Sequence, residues 1–258
     1  MAEAAAQAVA PVAVFFLELY ECLRVAGRLH GQAALLPQAG DVIILRLQLV
    51  QQVDGAVAQL LLLAVAAYGS YYRLGEYDDP AETFRRSLVS AVALGAPTIR
   101  VWAGTKASAD ADEAYRAKLA QEARLIAEMA AKENITVAFE WHKNTLTDTN
   151  ESGMVLLAAA DHPNLKSLWQ PTVALTPAQR VEGIRLLGDR LVNMHVYSWP
   201  DGKRGPLNAA EWKLYFDAAT CGGSHYALME FVRDNTPEQF AEDAARLIDL
   251  IENGGYHG

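Results

Sequence analysis

Cysteine is nearly absent from this chain: Cys22 and Cys221 are the two in 258 residues. Neither belongs to a Cys-x-x-Cys pair, so a disulfide framework is not indicated and both read as reduced, core-type thiols. Positive charge is also in short supply. The 31 acidic and 22 basic side chains leave a net −9 at pH 7. That balance argues against a nucleic-acid partner, because phosphate contacts need a basic surface. Long apolar runs are missing as well, and none approaches the ~18 residues of a membrane span. The Ala-rich start, residues 1–17, lacks a basic leading region, so a secretory signal is not expected. What remains is an ordinary globular composition, 52% apolar and 21% charged, suited to a soluble cytoplasmic protein.

Within that composition, four short apolar runs each close on a polar or metal-capable residue. They are Val137–His142 around Glu140, Leu165–Pro171 around Gln170, Leu191–Trp199 around His195, and Tyr226–Val232 around Glu230. The marker residues lie 30, 25 and 35 positions apart, and a helix-like stretch fills each interval. A strand, a helix and two loops take about 30 residues, so the spacing is that of βα units. In a parallel barrel the C-terminal ends of all strands meet on one face, where active sites form. Glu140, Gln170, His195 and Glu230 would converge there.

The same rhythm reads back to about residue 62. Leu63–Tyr68 is a buried-strand candidate running on toward Gly69-Ser70-Tyr71-Tyr72. Asp79-Pro80-Ala81-Glu82 opens a helix, with Asp79 as N-cap and Pro80 at the first helical position, and Gly95 stops it. Thr98–Trp102 is the next strand. A helix is predicted over 111–132 from the spacing of Leu119, Ala123, Ile126 and Ala130. Thr176-Pro177-Ala178-Gln179 and Thr236-Pro237-Glu238-Gln239 are two capping boxes of one form. Six βα units fill 62–252, and two more would complete a (β/α)₈ TIM barrel, for which 258 residues is a usual length.

Those two units must come from residues 1–61, where the signals are weak. The segment has no lysine, seven glutamines and five acidic residues. Val12–Leu19 and Asp41–Leu47 can be strands, and Tyr20–Leu29 and Val50–Leu61 helices. The expectation is one domain over 1–258, with an atypical first quarter. That quarter is either divergent or a segment foreign to the ancestral fold.

Two carboxylates, an imidazole and an amide form a reasonable set for a divalent cation, Mn²⁺ or Mg²⁺ first and Co²⁺ or Zn²⁺ next. Four of the five tryptophans, Trp102, Trp141, Trp169 and Trp199, lie at strand C-termini, and Tyr71, Tyr72 and Tyr197 join them. Aromatic faces bury the C–H surfaces of a sugar. His142 shares a strand face with Glu140 two residues earlier and could contact substrate. Arg100 could pair with a ligand carboxylate or with a substrate anion, and Asp148 could fix its own loop.

At these residues the chain resembles the xylose isomerase-like TIM-barrel superfamily of sugar and sugar-phosphate isomerases and epimerases. Glu140, His195 and Glu230 match that family's Glu on strand five, His on strand seven and Glu on strand eight. Gln170 stands where the strand-six ligand is usually Asp, and Val173 stands where the epimerases commonly carry a substrate-binding His. The resemblance implies a metal-dependent isomerase or epimerase of a small carbohydrate. Glu140 and Glu230 would be ligands and proton carriers, His195 a ligand, and Gln170 a weak ligand or a hydrogen-bonder to substrate. Trp102, Trp169, Trp199, Arg100, Tyr71 and His142 would contact substrate. A sugar-binding barrel without its metal, or a polyol dehydratase or lyase, are the alternatives on the same scaffold. A three-zinc phosphodiesterase needs more His and Asp ligands than these strand ends offer. A homo-oligomer is compatible with this reading, and no membrane partner is expected.

Overall fold

The computed structural model describes residues 65–219 and 225–254. It also gives the backbone of two short earlier strands, Ala13–Val14 (β1) and Asp41–Ile44 (β2). Six βα units follow: β3 Val65–Arg73 and α1 Pro80–Leu94, β4 Thr98–Trp102 and α2 Glu113–Ala131, β5 Thr136–Glu140 and α3 Asn150–Ala160, then β6 Leu165–Trp169 and α4 Pro177–Leu187, β7 Leu191–Val196 and α5 Ala209–Ala219, and β8 Tyr226–Met229 and α6 Pro237–Asn253. Strands β3 to β8 are parallel neighbours in chain order. This is the α/β, TIM-barrel arrangement expected for 62–252. β1 adds to β8 in parallel. β2 instead runs antiparallel to β3, so the first quarter departs from the all-parallel pattern. The helices expected at 20–29 and 50–61 lie outside the described residues. No helix among the described residues is long and apolar enough to cross a membrane.

Local chemistry sets the helix ends. The Asp79 carboxylate accepts from the Glu82 N–H at 2.9 Å, and Gly95 closes α1 in the left-handed region at φ +65°. Asp112 caps α2 in the same way, accepting from the Tyr115 N–H. Of the two expected capping boxes, the one at Thr176 forms completely. The one at Thr236 forms only half. Its hydroxyl accepts from the Gln239 N–H at 3.2 Å, but Asp234 takes the return bond, accepting from the Thr236 N–H at 3.1 Å. The carboxylate two residues upstream is the stronger acceptor, and the Gln239 side chain is left buried.

Side chains alternate between two packed layers. Ala66, Ala138, Leu168 and Leu228 form a small inner cluster. The larger cluster lies between strands and helices and holds Ile99, Val101, Phe139, Trp141, Trp169, Met194, Val196 and Met229. Each of these outer residues adjoins a candidate site residue in sequence. The alternation therefore turns Arg100, Glu140, Gln170, His195 and Glu230 to the inner side.

The end of β5 is held from outside through Trp141. Its indole N–H donates to Asn150 Oδ1 at 3.3 Å, and Asn150 Nδ2 donates to the Gln179 carbonyl at 2.8 Å. A Cβ at Gly153 on α3 would collide with this indole. Gly153→Ala is expected to destabilise the protein by about 1–2 kcal/mol, because overpacking costs more than the roughly 1 kcal/mol that alanine gains in a helix. Equilibrium urea unfolding measures this, and an unchanged or raised stability would show that the indole is not clamped there.

Candidate metal centre

β5 ends on Glu140, β6 stops one residue before Gln170, His195 is the penultimate residue of β7, and Glu230 follows β8. These positions share the C-terminal edge of the sheet. The His195 imidazole is the hub. Its Nδ1 lies 3.5 Å from Glu140 Oε1, 3.4 Å from Glu230 Oε2 and 3.3 Å from Gln170 Oε1. Ligand atoms from Glu140, His195 and Glu230 all fall within 4.8 Å of one another. Glu140, Gln170 and His195 are buried, and the Glu230 side chain retains 19% of its exposure.

The charges show what such a pocket accepts. Burial works against a charge on His195, but the Glu230 and Glu140 carboxylates overcome it and push the imidazole up to about 9. Burial likewise favours the neutral acid at Glu140. The Arg100 guanidinium, His195 and the Trp102 indole nevertheless hold its carboxyl well below the usual carboxylate range. Arg100 Nη1 pairs with Glu140 Oε2 at 3.2 Å, and the Trp102 indole N–H donates to the same oxygen. Of the two roles open to Arg100, pairing with a carboxylate is the one formed. Oε1 of Glu140 is left facing the cluster. Two carboxylates, an imidazole nitrogen and an amide oxygen around a buried centre fit a divalent cation, and Glu140, Gln170, His195 and Glu230 would hold it.

The aromatic residues divide by strand parity. Trp102 lies on the inner side. Tyr71 meets it edge-on at 6.0 Å and His142 stacks on it at 5.6 Å. Trp199 packs against Tyr197 and Phe231 at 5.9 and 5.2 Å, on the rim of a cavity of about 800 Å³ lined also by Pro171, Val173 and Leu207. Trp169 is not brought to the cluster. It is buried in the outer layer against Trp212 and Tyr215, because its neighbour Gln170 takes the inner side. Trp141 faces outward for the same reason. Asp148 reaches beyond its own loop, accepting from the Ser108 N–H at 3.0 Å.

Two residues that the sequence analysis passed over border the site, and Tyr197, read there among the strand-end aromatics, joins them. Arg73 lies over the Trp102 ring at 4.1 Å. Its parity with Tyr71 on the same strand was an available signal. Thr147 donates to the Glu140 carbonyl at 2.6 Å and fixes the β5 end. Tyr197 is buried, and its phenol is pushed well up by that burial and by the Glu230 and Glu140 carboxylates. It shares parity with His195.

The model of the family described as xylose isomerase-like TIM barrel matches residues 48–251. The chain belongs to that family. Its similarity to a 3-dehydroshikimate dehydratase of Bacillus anthracis is local, 47% identity over 68 residues, which is 26% of this chain and 24% of the dehydratase. The fold is shared with a crystal structure described as a probable 3-DHS dehydratase of Bacillus anthracis involved in petrobactin synthesis. The TM-score is 0.61 at 24% identity, covering 71% of this chain and 76% of the other. It is shared also with an E. coli 3-keto-D-glucoside 4-epimerase, with a TM-score of 0.56 at 15% identity, covering 72% and 78%.

A metal that binds His195 must displace its proton. The metal-free protein keeps that proton up to about pH 9, so affinity should rise with pH, about tenfold per unit, and level off above 9. Calorimetric titration with Mn²⁺ across pH 6.5 to 8.5, in buffers of different ionisation enthalpy, measures both the slope and the released proton. A pH-independent affinity with no proton release would contradict the assignment of His195.

Proposed function

We propose that this protein is a metal-dependent lyase that removes water from a cyclic hydroxyketone, with 3-dehydroshikimate as the first substrate to test. The observation that carries the reading is the state of His142. Its Nδ1 lies 2.7 Å from the Lys143 carbonyl. A carbonyl can only accept, so Nδ1 carries a proton, and the tautomer this bond selects for the neutral ring has its lone pair on Nε2. The ring is stacked on Trp102 and half-buried at the mouth. An imidazole fixed in that tautomer offers Nε2 as a general base. Glu140 is not such a base, because Arg100 and Trp102 occupy one of its oxygens and hold it ionised. This moves the proton-carrying role of Glu140, which the sequence analysis gave to it and Glu230, to His142.

The chemistry then follows from the residues. A divalent ion held by Glu140, Gln170, His195 and Glu230 supplies a Lewis acid for the substrate's carbonyl oxygen. His142 Nε2 takes the proton from the carbon next to that carbonyl. The C–OH bond one carbon further on breaks, and the imidazolium returns its proton to the departing hydroxide. One C–H and one C–OH are lost, one C=C and one water are formed, and His142 ends as it began. Arg100 and Trp102 keep Glu140 a carboxylate throughout. The local identity to a dehydratase supports this choice among the chemistries of the fold.

An isomerase or epimerase of a sugar is the second reading. It is favoured by the half-exposed Trp199 and by Tyr71, which has 47% of its surface open at the mouth. It uses the same first proton transfer, and the proton returns to carbon instead of leaving with hydroxide.

The expected result with Mn²⁺ or Co²⁺ is turnover of 3-dehydroshikimate, followed by ultraviolet absorbance of the aromatic product. His142→Gln should lower kcat by about 10²–10⁴ while Mn²⁺ affinity stays unchanged. Wild-type activity in that variant would remove His142 as base. Turnover of a ketose with none of the dehydroshikimate would establish the second reading instead.

A further inference from the structure

Arg73, the last residue of β3, has no part in the proton transfers above. Its backbone pairs with Trp102 across β3 and β4, and its guanidinium lies 4.1 Å from the centroid of the Trp102 ring. The same ring carries His142 on a stacked contact, Tyr71 on an edge contact, and the Arg100 guanidinium at 5.2 Å. One indole therefore orders two cations beside the base and the metal cluster.

The two guanidiniums are used differently. Arg100 is buried and ion-paired with Glu140 at 3.2 Å. Arg73 is exposed and, among the described residues, no carboxylate lies within ion-pair distance of it. A guanidinium resting on an aromatic face keeps its N–H edges directed away from the ring, in the fork geometry that matches a carboxylate. Its stem is already ordered by the indole, so less freedom is lost when an anion binds. The charge balance points the same way. A divalent ion cancels Glu140 and Glu230, and the two arginines leave the mouth positive within a chain of net charge −9.

We propose that Arg73, laid on Trp102, is the site for a carboxylate carried by the substrate, and that it makes the enzyme select hydroxyketo acids over neutral ketoses. The inference rests on the reaction class proposed above but is tested by binding, without turnover. Tyr71 and His142 form the adjoining wall, so the acid group is placed at the β3–β4 side of the mouth. The reacting carbonyl is then left toward β5 to β8, where the four candidate ligands stand.

The test is calorimetric binding of shikimate, and of its methyl ester, to Mn²⁺-loaded wild type, Arg73→Gln and Arg73→Lys. Shikimate keeps the carboxylate but lacks the ketone, so no reaction competes. Wild type is expected to bind the acid at least tenfold tighter than the ester. Arg73→Gln should reduce that preference to about twofold or less, and Arg73→Lys should recover it in part, since lysine restores charge without the bidentate fork. A melting temperature matching wild type in each variant shows that the fold is kept. Full preference in Arg73→Gln overturns the proposal, as does a wild type that binds neither ligand or both equally. If Arg73 governs carboxylate preference while no hydroxyketo acid is turned over, the anion site stands and the reaction class falls. If a neutral ketose is turned over and Arg73→Gln changes no preference, the anion site falls and the reaction class stands.

Discussion

Two carboxylates and an amide oxygen converge on one buried imidazole nitrogen, and most of the surrounding chemistry answers the negative charge this concentrates. Burial of like charges is costly unless a cation lies among them. In the absence of metal, His195 is that cation, pushed up to about 9 by Glu230 and Glu140. Arg100 serves the same purpose from the other side, ion-paired with the far oxygen of Glu140. The pocket is therefore neutralised from two directions, and a divalent ion would replace only the proton on His195. Gln170 fits the metal-free balance, since without the ion a third carboxylate would add charge that neither arginine nor imidazole is placed to cancel.

That balance also separates the duties of the strand-end residues. A carboxylate held ionised by Arg100 and an indole is a good ligand and a poor base. The proposed base is the next inner position of the same segment, His142, whose tautomer is selected by a neighbouring backbone carbonyl. Trp102 joins the two halves: its N–H bonds Glu140, and its ring faces support His142 and Arg73. One side chain thus couples the candidate metal centre to the proposed base and to the mouth. The β5 end that bears Glu140 is in turn fixed by Thr147 from the following loop and by Trp141 against α3.

Residues 62–252 are legible in the sequence because caps and apolar runs recur at βα spacing. Asp79, Pro80, Gly95 and Thr176 act as their chemistry dictates. The four cluster residues are legible because each closes a strand. The direction of Trp169 and Trp141 is not read correctly by proximity to the strand end. Parity decides it, since a residue beside an inward ligand must face outward. Arg73 escapes notice because the strand was expected to end near Tyr72, whereas β3 continues one residue further. The tautomer of His142 depends on where the Lys143 carbonyl points, a loop geometry that no residue pattern specifies. The antiparallel seat of β2 likewise has no signal in a segment with weak turns and caps.

The most direct measurement is anomalous diffraction from crystals grown with Mn²⁺. The expected result is one manganese peak bounded by Glu140, Gln170, His195 and Glu230, with Arg100 still on the far oxygen of Glu140. A peak elsewhere, or an empty cluster at saturating Mn²⁺ with His195 still bridging the two carboxylates, would contradict it.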